Sequence, residues 1–567
     1  MLYLGIKATH DGGVAVIDDD RLLFSIEMEK IGNGLRYSEL GDLDAVRGLL
    51  ADEGVALADI GRVAVDGWGY GDLPTASRGE PLNLPVAPYR ESRLRDDSLA
   101  AHRFEGLRLG SDTEFEYQSF HHTTGHIMSA YCASPFSRAG QAAFVLVWDG
   151  GVLPRCYYVR PEAPHIENLG PIFGLLGNLY AVFAMHMDPF TMEDPFMIEA
   201  PGGASTRGAY NARRLSVPGK VMAYTALGSA RADLTEIMDR IYDARPADVM
   251  DHPRPFVKEF ITRFLEQSAG LKPSSADMLA TLQQWIGGRL VQSLREIRTR
   301  FPERAGNLCL AGGCALNIKW NSEIRRSGLF ESVFVPPFPN DSGSAIGAAC
   351  AAMTVETGRT ALEWSAYAGP ALRPLAESEG YISRACSVAE LADLLYRFDE
   401  PVVVLHGRAE LGPRALGNRS ILAPATDTAM KGVLNAIKRR EDYRPVSPIC
   451  LESRAPEIFE PGTPDPYMLF DHQTRPDWLE RIPAVVHLDG SARLQTVNAA
   501  QNPVVAELLT EYERLSGIPV LCNTSANYDG RGFFPDAGSA MEWGRTRYVW
   551  SDGRLWQRGE PTIEEPE

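Results

Sequence analysis

The sequence predicts a mixed α/β (α+β) protein built as two domains. Three observations carry that expectation. The 567 residues exceed what one hydrophobic core organises. Short apolar runs end in Gly/Asp clusters, the pattern of strands closed by tight turns. Longer stretches with apolar residues at helical spacing lie between them.

The chain opens as strand, turn, strand, turn, strand: YLGIK, THDGG, VAVI, DDDR, LLFSIE. Gly and Asp between short apolar runs are hairpin signals. AAFVLVWDGG at 142–151 repeats the theme, with apolar residues running into Asp149. NLCLAGGCALN at 307–317 predicts a short buried strand, a glycine turn and a helix start. SVFVPPFPNDSGSAIGAACAA at 332–352 predicts a strand, a proline-rich loop and a helix of small residues. Residues 275–301 carry a helical apolar pattern with Arg-rich later turns. The stretch 355–375 mixes Gly, Pro and polar residues and reads as a linker. VAELADLLYRF at 388–398 and PVVVLHGRAELG at 401–412 then start a new helix and strand. A boundary at 365–370 follows, giving domains 1–367 and 368–567.

Composition narrows the function classes. Hydrophobic residues are 44% and charged residues 23%, as in an ordinary globular protein. No apolar run reaches membrane-spanning length, and the N-terminus lacks the form of a signal peptide. A cytoplasmic protein without a membrane partner is expected. Eight scattered cysteines with no CxxC pair favour reduced thiols. A net charge of −18 argues against a nucleic-acid partner, because phosphate binding needs a broad basic surface. Only eight of the 56 basic residues are lysine, so a lysine inside a motif is conspicuous. A monomer or homodimer is expected.

HHTTGH at 121–126 is the first candidate site. His122 and His126 are four apart, one face of a helix. Asp149 and Asp341 sit on strand-end loops that can converge on the same point. Two imidazoles and two carboxylates suit Fe(II), Mn(II) or Zn(II) with positions left open. His121 is a support for the ligands, a substrate contact or a solvated neighbour. Three glycine-bearing segments could approach nucleotide phosphates: Gly312 and Gly313 with Asn317, Gly343 after Asp341, and Lys220 in PGKVMAYTALG.

At these residues the chain resembles the carbamoyltransferase family of nodulation-factor, tobramycin and cephem O-carbamoyltransferases. HHxxxH, the strand-end DG, GKxMA, AGGxALN and VPPxxxDxGxxxGAA occur in the family's order. The resemblance implies an actin/hexokinase-like first domain made of a duplicated ribonuclease H-like fold. His10 and Asp11 fall where the family carries an HD pair, and His10 is the candidate base for an acceptor hydroxyl.

The second half adds HGRAELGPRALGNRS, KRREDYRPVSP and CNTSAN. Arginine forks and a lysine point charge suit phosphate oxygens. These segments are similar to the family's YrdC-like domain, with its GxxExGPRALGxRS, KxRExxRPxxP and NTSxN motifs. The resemblance carries over Arg408, Arg414, Arg419, Lys438, Arg440, Arg444, Ser525 and Asn527 as phosphate or adenylate contacts, with Lys438 and Arg440 catalytic. After NTSxN the family continues with a Gly-Glu-Pro-Ile run, whereas this chain reads YDGRGFFPD. PFTMEDPFMIEAPGGASTRG at 189–208 has no family counterpart and is either an acceptor loop or a surface excursion.

The resemblance implies two-site chemistry. Carbamoyl phosphate and ATP, with Mg(II), yield carbamoyl-adenylate in the second domain. The labile adenylate then passes within the protein to the first domain, where Fe(II) or another divalent metal serves transfer to a small-molecule hydroxyl acceptor. The N-terminal stretch resembles the cephem branch most, with macrolide and aminoglycoside hydroxyls as further options. Two other readings are threonylcarbamoyladenylate chemistry on tRNA and a kinase-like or non-catalytic nucleotide-binding protein.

Overall fold

The structure is a computed structural model that describes residues 1–32, 34, 36–94, 96–162, 165–196, 204–374, 380–528 and 530–559. It is a mixed α/β protein with two compact units. The first holds Met1–Met28, Leu35–Ala368 and Leu411–Pro413; the second holds Glu29–Gly34, Gly369–Glu410 and Arg414–Glu567.

The first unit repeats one five-strand plan. Leu2–Lys7 lies at the centre of the first sheet. It pairs antiparallel with Gly13–Asp18, which pairs antiparallel with Arg21–Glu27. On its other side Leu2–Lys7 pairs parallel with Ile60–Asp66, which pairs parallel with Glu114–Phe120. The second sheet does the same. Ala143–Val147 is followed antiparallel by Arg155–Arg160 and His165–Pro171, and flanked parallel by Asn307–Ala311 and Ser332–Phe334. This is the duplicated ribonuclease H-like plan. Strands such as Ala143–Val147 are buried throughout, as parallel neighbours covered on both faces require.

Two helices lie at the heart of this unit. His122–Cys132 packs on the second sheet, Ser344–Thr357 on the first, and the two pack against each other. Their closeness depends on missing side chains. A Cβ on Gly347 would stand 1.8 Å from the Gly125 carbonyl oxygen, and one on Gly5 would stand 1.9 Å from that of Ala345.

Two expectations for this unit need correction. The early part of the stretch read as a linker is packed: Leu362 and Ala368 are buried, and Leu362 N–H donates to the Cys132 carbonyl. The Lys220 segment is no phosphate loop. It lies within the helix Ala204–Tyr224, because the apolar residues around it follow a helical period and outweigh the Pro218–Gly219 pair. Residues 197–203 of the unmatched segment lie outside the described residues.

The second unit is built on an eight-stranded mixed sheet. Val402–Leu405 and Arg419–Pro424 pair antiparallel near its middle, and Val520–Ser525 follows Arg419–Pro424. Helices Val388–Phe398 and Pro503–Ser516 pack together. The first starts at a capping box made by Ser387 and Glu390, which satisfies two N–H groups otherwise left open at a helix start.

Candidate functional site

In the first unit, ends of neighbouring strands bring the chemistry together. Asp149 lies just beyond Ala143–Val147, and Asp341 opens the turn into Ser344–Thr357. His122 and His126 lie in the first turns of the helix that follows Glu114–Phe120. Donor atoms of His122, His126, Asp149 and Asp341 all lie within 4.8 Å of one another. His122 and His126 are fully buried, with ring centroids 4.6 Å apart.

The donor chemistry fits a divalent cation. Neither ring nitrogen of His126 has a hydrogen-bond partner among the described residues, and the same holds for His122 Nε2. Buried polar atoms are ordinarily paired, and here these nitrogens face the Asp341 carboxylate. Asp341 Oδ1 lies 3.4 Å from His122 Nε2 and 3.5 Å from His126 Nε2. Burial works against the Asp341 charge, yet Lys7, His122 and His10 hold its carboxyl well below the usual range. Both oxygens of Asp149 accept hydrogen bonds, from Gly313 N–H at 2.9 Å and from the Tyr89 hydroxyl at 2.6 Å.

Several of these neighbours carried no signal in the sequence reading. Asp66 Oδ2 lies 2.7 Å from His122 Nδ1, so a neutral His122 presents Nε2 to the other donors. Burial pushes the His122 ring down, but Asp66 and Asp341 more than offset it and lift it to about 9. Lys7 stands between Asp66 and Asp341, 2.9 Å from each. The Tyr89 ring packs on His122 at 4.5 Å. The one available hint was that Lys7 ends the first expected strand, YLGIK, and is one of eight lysines.

His10 and Asp11 stand beside this group. His10 Nδ1 is 3.0 Å from Asp11 Oδ2, and its Nε2 is 3.6 Å from Asp341 Oδ2. Asn340 donates to the other Asp11 oxygen. Gly312 takes φ +87°, and a Cβ there would stand 2.4 Å from the Trp148 carbonyl oxygen. Gly343 is similarly confined by Phe338. His121 is turned elsewhere: its Nδ1 lies 3.0 Å from the Pro88 carbonyl. Asn317 is reassigned. Its Oδ1 accepts from Lys319 and Trp320 N–H at the start of Ile318–Arg326, and its amide pairs with Gln283. It is a buried helix cap.

In the second unit the KxRExxRP and NTSxN motifs meet. The Lys438 ammonium donates to the Ser525 carbonyl at 2.7 Å, the Asn527 carbonyl at 2.9 Å and the Asn527 side chain. Ser525 Oγ donates to Asn527 Oδ1 at 2.6 Å. Arg440 is held by Asn435 Oδ1 at 2.5 Å. Burial and the Arg444 charge push Arg440 down to about 9, a strain that a bound anion would relieve. Arg408 and Arg414 lie half-buried in the same unit. Arg419 is reassigned. Only 2% exposed, it donates to the carbonyls of His406, Asn418, Gly407 and Pro370. That geometry gives it a structural role in place of the expected phosphate contact.

The sequence matches the families described as Carbamoyltransferase N-terminus over residues 3–350 and Carbamoyltransferase C-terminus over residues 392–548. It is 47% identical to Nodulation protein U of Bradyrhizobium diazoefficiens, covering 98% of this chain and 97% of that one. It is 33% identical to the 3'-hydroxymethylcephem-O-carbamoyltransferase of Streptomyces clavuligerus, covering 94% of each. Over the whole chain the identity to the nodulation protein is the higher of the two. A solved structure of full-length HypF in the phosphate- and nucleotide-bound form covers 64% of this chain and 47% of its own, at 11% identity and TM-score 0.32, too slight a likeness to argue from. No helix among the described residues is long and apolar enough to cross a membrane.

Proposed function

The chain belongs to the carbamoyltransferase family, and from that premise we propose that it is an ATP- and carbamoyl phosphate-dependent O-carbamoyltransferase acting on a hydroxyl of a small-molecule natural product. The observation that carries the proposal is the convergence of His122, His126, Asp149 and Asp341 beside a His10–Asp11 pair.

The second unit makes the activated donor. Water releases phosphate from carbamoyl phosphate and leaves carbamate. A carbamate oxygen attacks the α-phosphorus of ATP, the bond to the β-phosphate breaks, and carbamoyl-adenylate and pyrophosphate form. Lys438, Arg440 and Arg444, with Arg408 and Arg414, offset the charge gathering on the phosphate oxygens. Ser525 and Asn527 hold the Lys438 ammonium in place.

The first unit transfers the group. Gly312, Gly313 and Gly343 let main-chain N–H groups approach the adenylate. His122, His126, Asp149 and Asp341 would hold a divalent cation, which would supply Lewis acidity for the transfer. His10 takes the proton of the acceptor hydroxyl, with Asp11 fixing its ring. The hydroxyl oxygen bonds to the carbamoyl carbon, and AMP leaves.

The test combines the protein with ATP, carbamoyl phosphate and an acceptor panel of a nodulation factor, a hydroxymethylcephem and an aminoglycoside. AMP, pyrophosphate and a carbamoylated acceptor are expected. In His126→Ala, acceptor carbamoylation falls at least 100-fold while carbamoyl phosphate-dependent pyrophosphate release persists. AMP formation that needs threonine and bicarbonate in place of carbamoyl phosphate would refute the proposal.

A further inference from the structure

The donor cluster of the first unit contains a buried lysine that the transfer chemistry above does not use. Lys7 ends Leu2–Lys7, and its side chain is 2% exposed. Parallel pairing with Ile60–Asp66 brings the ends of these two strands side by side. Lys7 Nζ therefore reaches Asp66 Oδ2 at 2.9 Å, and it also reaches Asp341 Oδ2 at 2.9 Å. Two carboxylates thus face one ammonium.

Asp341 is thereby divided. Its Oδ2 faces the Lys7 ammonium at 2.9 Å and the His10 ring, Nε2 at 3.6 Å. Its Oδ1 faces His122 Nε2 and His126 Nε2 at 3.4 and 3.5 Å. A carboxylate that binds a metal through both oxygens occupies two coordination positions. An ammonium 2.9 Å from one oxygen disfavours that, because its positive charge repels a second cation from that side.

We propose that Lys7 is a positioning residue that holds Asp341 by Oδ2, so that a divalent cation receives Oδ1 alone and keeps coordination positions open for the two substrates. The proposal rests on the metal reading of the four-donor cluster. With one atom from each of the four donors, a six-coordinate cation would keep about two positions free.

The experiment loads wild type, Lys7→Met and Lys7→Arg with Co(II) and records metal content, visible absorption and transfer kinetics. Lys7→Met is expected to bind Co(II) at least as tightly, because a neighbouring positive charge is gone. Its absorption weakens toward that of a coordinatively saturated ion, and kcat for transfer falls about 10–100-fold with KM for carbamoyl phosphate unchanged. Lys7→Arg restores part of both. Identical spectra in wild type and Lys7→Met would overturn the proposal. Should Lys7→Met fail to fold, Mn(II)-loaded wild type decides through water-proton relaxation. Exchangeable bound water supports the proposal, and a saturated ion rejects it. A wild type that takes up neither metal would instead refute the metal reading itself.

Discussion

Glu410 illustrates how one buried carboxylate builds a motif. It is fully buried, and its Oε1 accepts from the N–H groups of Leu416, Asn418 and Arg419 at 2.6, 2.8 and 3.0 Å. The GPRALGNRS loop curls around that oxygen. Arg419 closes it by binding carbonyls, including that of His406 at 2.8 Å. His406 itself is buried, and burial pushes its ring down from 6.5 to about 4. The unfolded chain therefore gains a proton at a pH where the folded chain does not. His406 adds stability that is whole above about pH 6.5 and is lost as pH falls through about 4. The contribution is about 3 kcal/mol. Urea unfolding of His406→Gln between pH 7 and 4 should show a flatter pH dependence than wild type. An unchanged slope would count against this account.

At the scale of elements, the decisive contact is the crossing of His122–Cys132 and Ser344–Thr357 at Gly125 and Gly347. The second helix reads SAIGAACAAMTVET, and its small side chains allow backbone-to-backbone approach. Asp341 is carried in by the turn that starts this helix, so its distance to His126 depends on the crossing. Gly347→Ala places a Cβ where the Gly125 carbonyl oxygen stands. Overpacking of this kind costs about 1–3 kcal/mol. The expected outcome is a lower urea midpoint and weakened Co(II) uptake, with pyrophosphate release retained. Normal Co(II) affinity in a destabilised Gly347→Ala would show that the crossing does not set the donor geometry.

At the scale of the whole molecule, the two sheets of the first unit repeat one strand plan, and each contributes strand-end residues to one centre. Lys7 and Asp66 come from the first sheet, and Asp149 follows the central strand of the second. The acidic balance of −18 bears on the rival tRNA chemistry. Protein–nucleic acid affinity rises steeply as salt falls, so low salt is the most permissive condition. No retention of tRNA at 50 mM salt is expected in a gel-shift or filter assay. Tight, salt-sensitive binding would favour the tRNA reading.

The mixed α/β class and several element positions were legible in the residues, because strand and helix periods and Gly/Asp turns are local signals. Strands predicted at the N-terminus and around 142–151 stand where the sequence places them, as do the helices over 275–301 and 388–398. HHTTGH and the strand-end aspartates are recognisable because their residue types and spacing are themselves the signal. The roles of Asn317 and Arg419 were not legible, since a helix cap and a carbonyl clamp depend on which backbone groups lie within reach. That Lys7, Asp66 and Tyr89 join this site was not legible for the same reason: no sequence spacing links residues 7, 66, 89 and 341. Parallel strand pairing and a glycine-lined helix crossing bring them together, and only tertiary structure decides which charges then share a buried space.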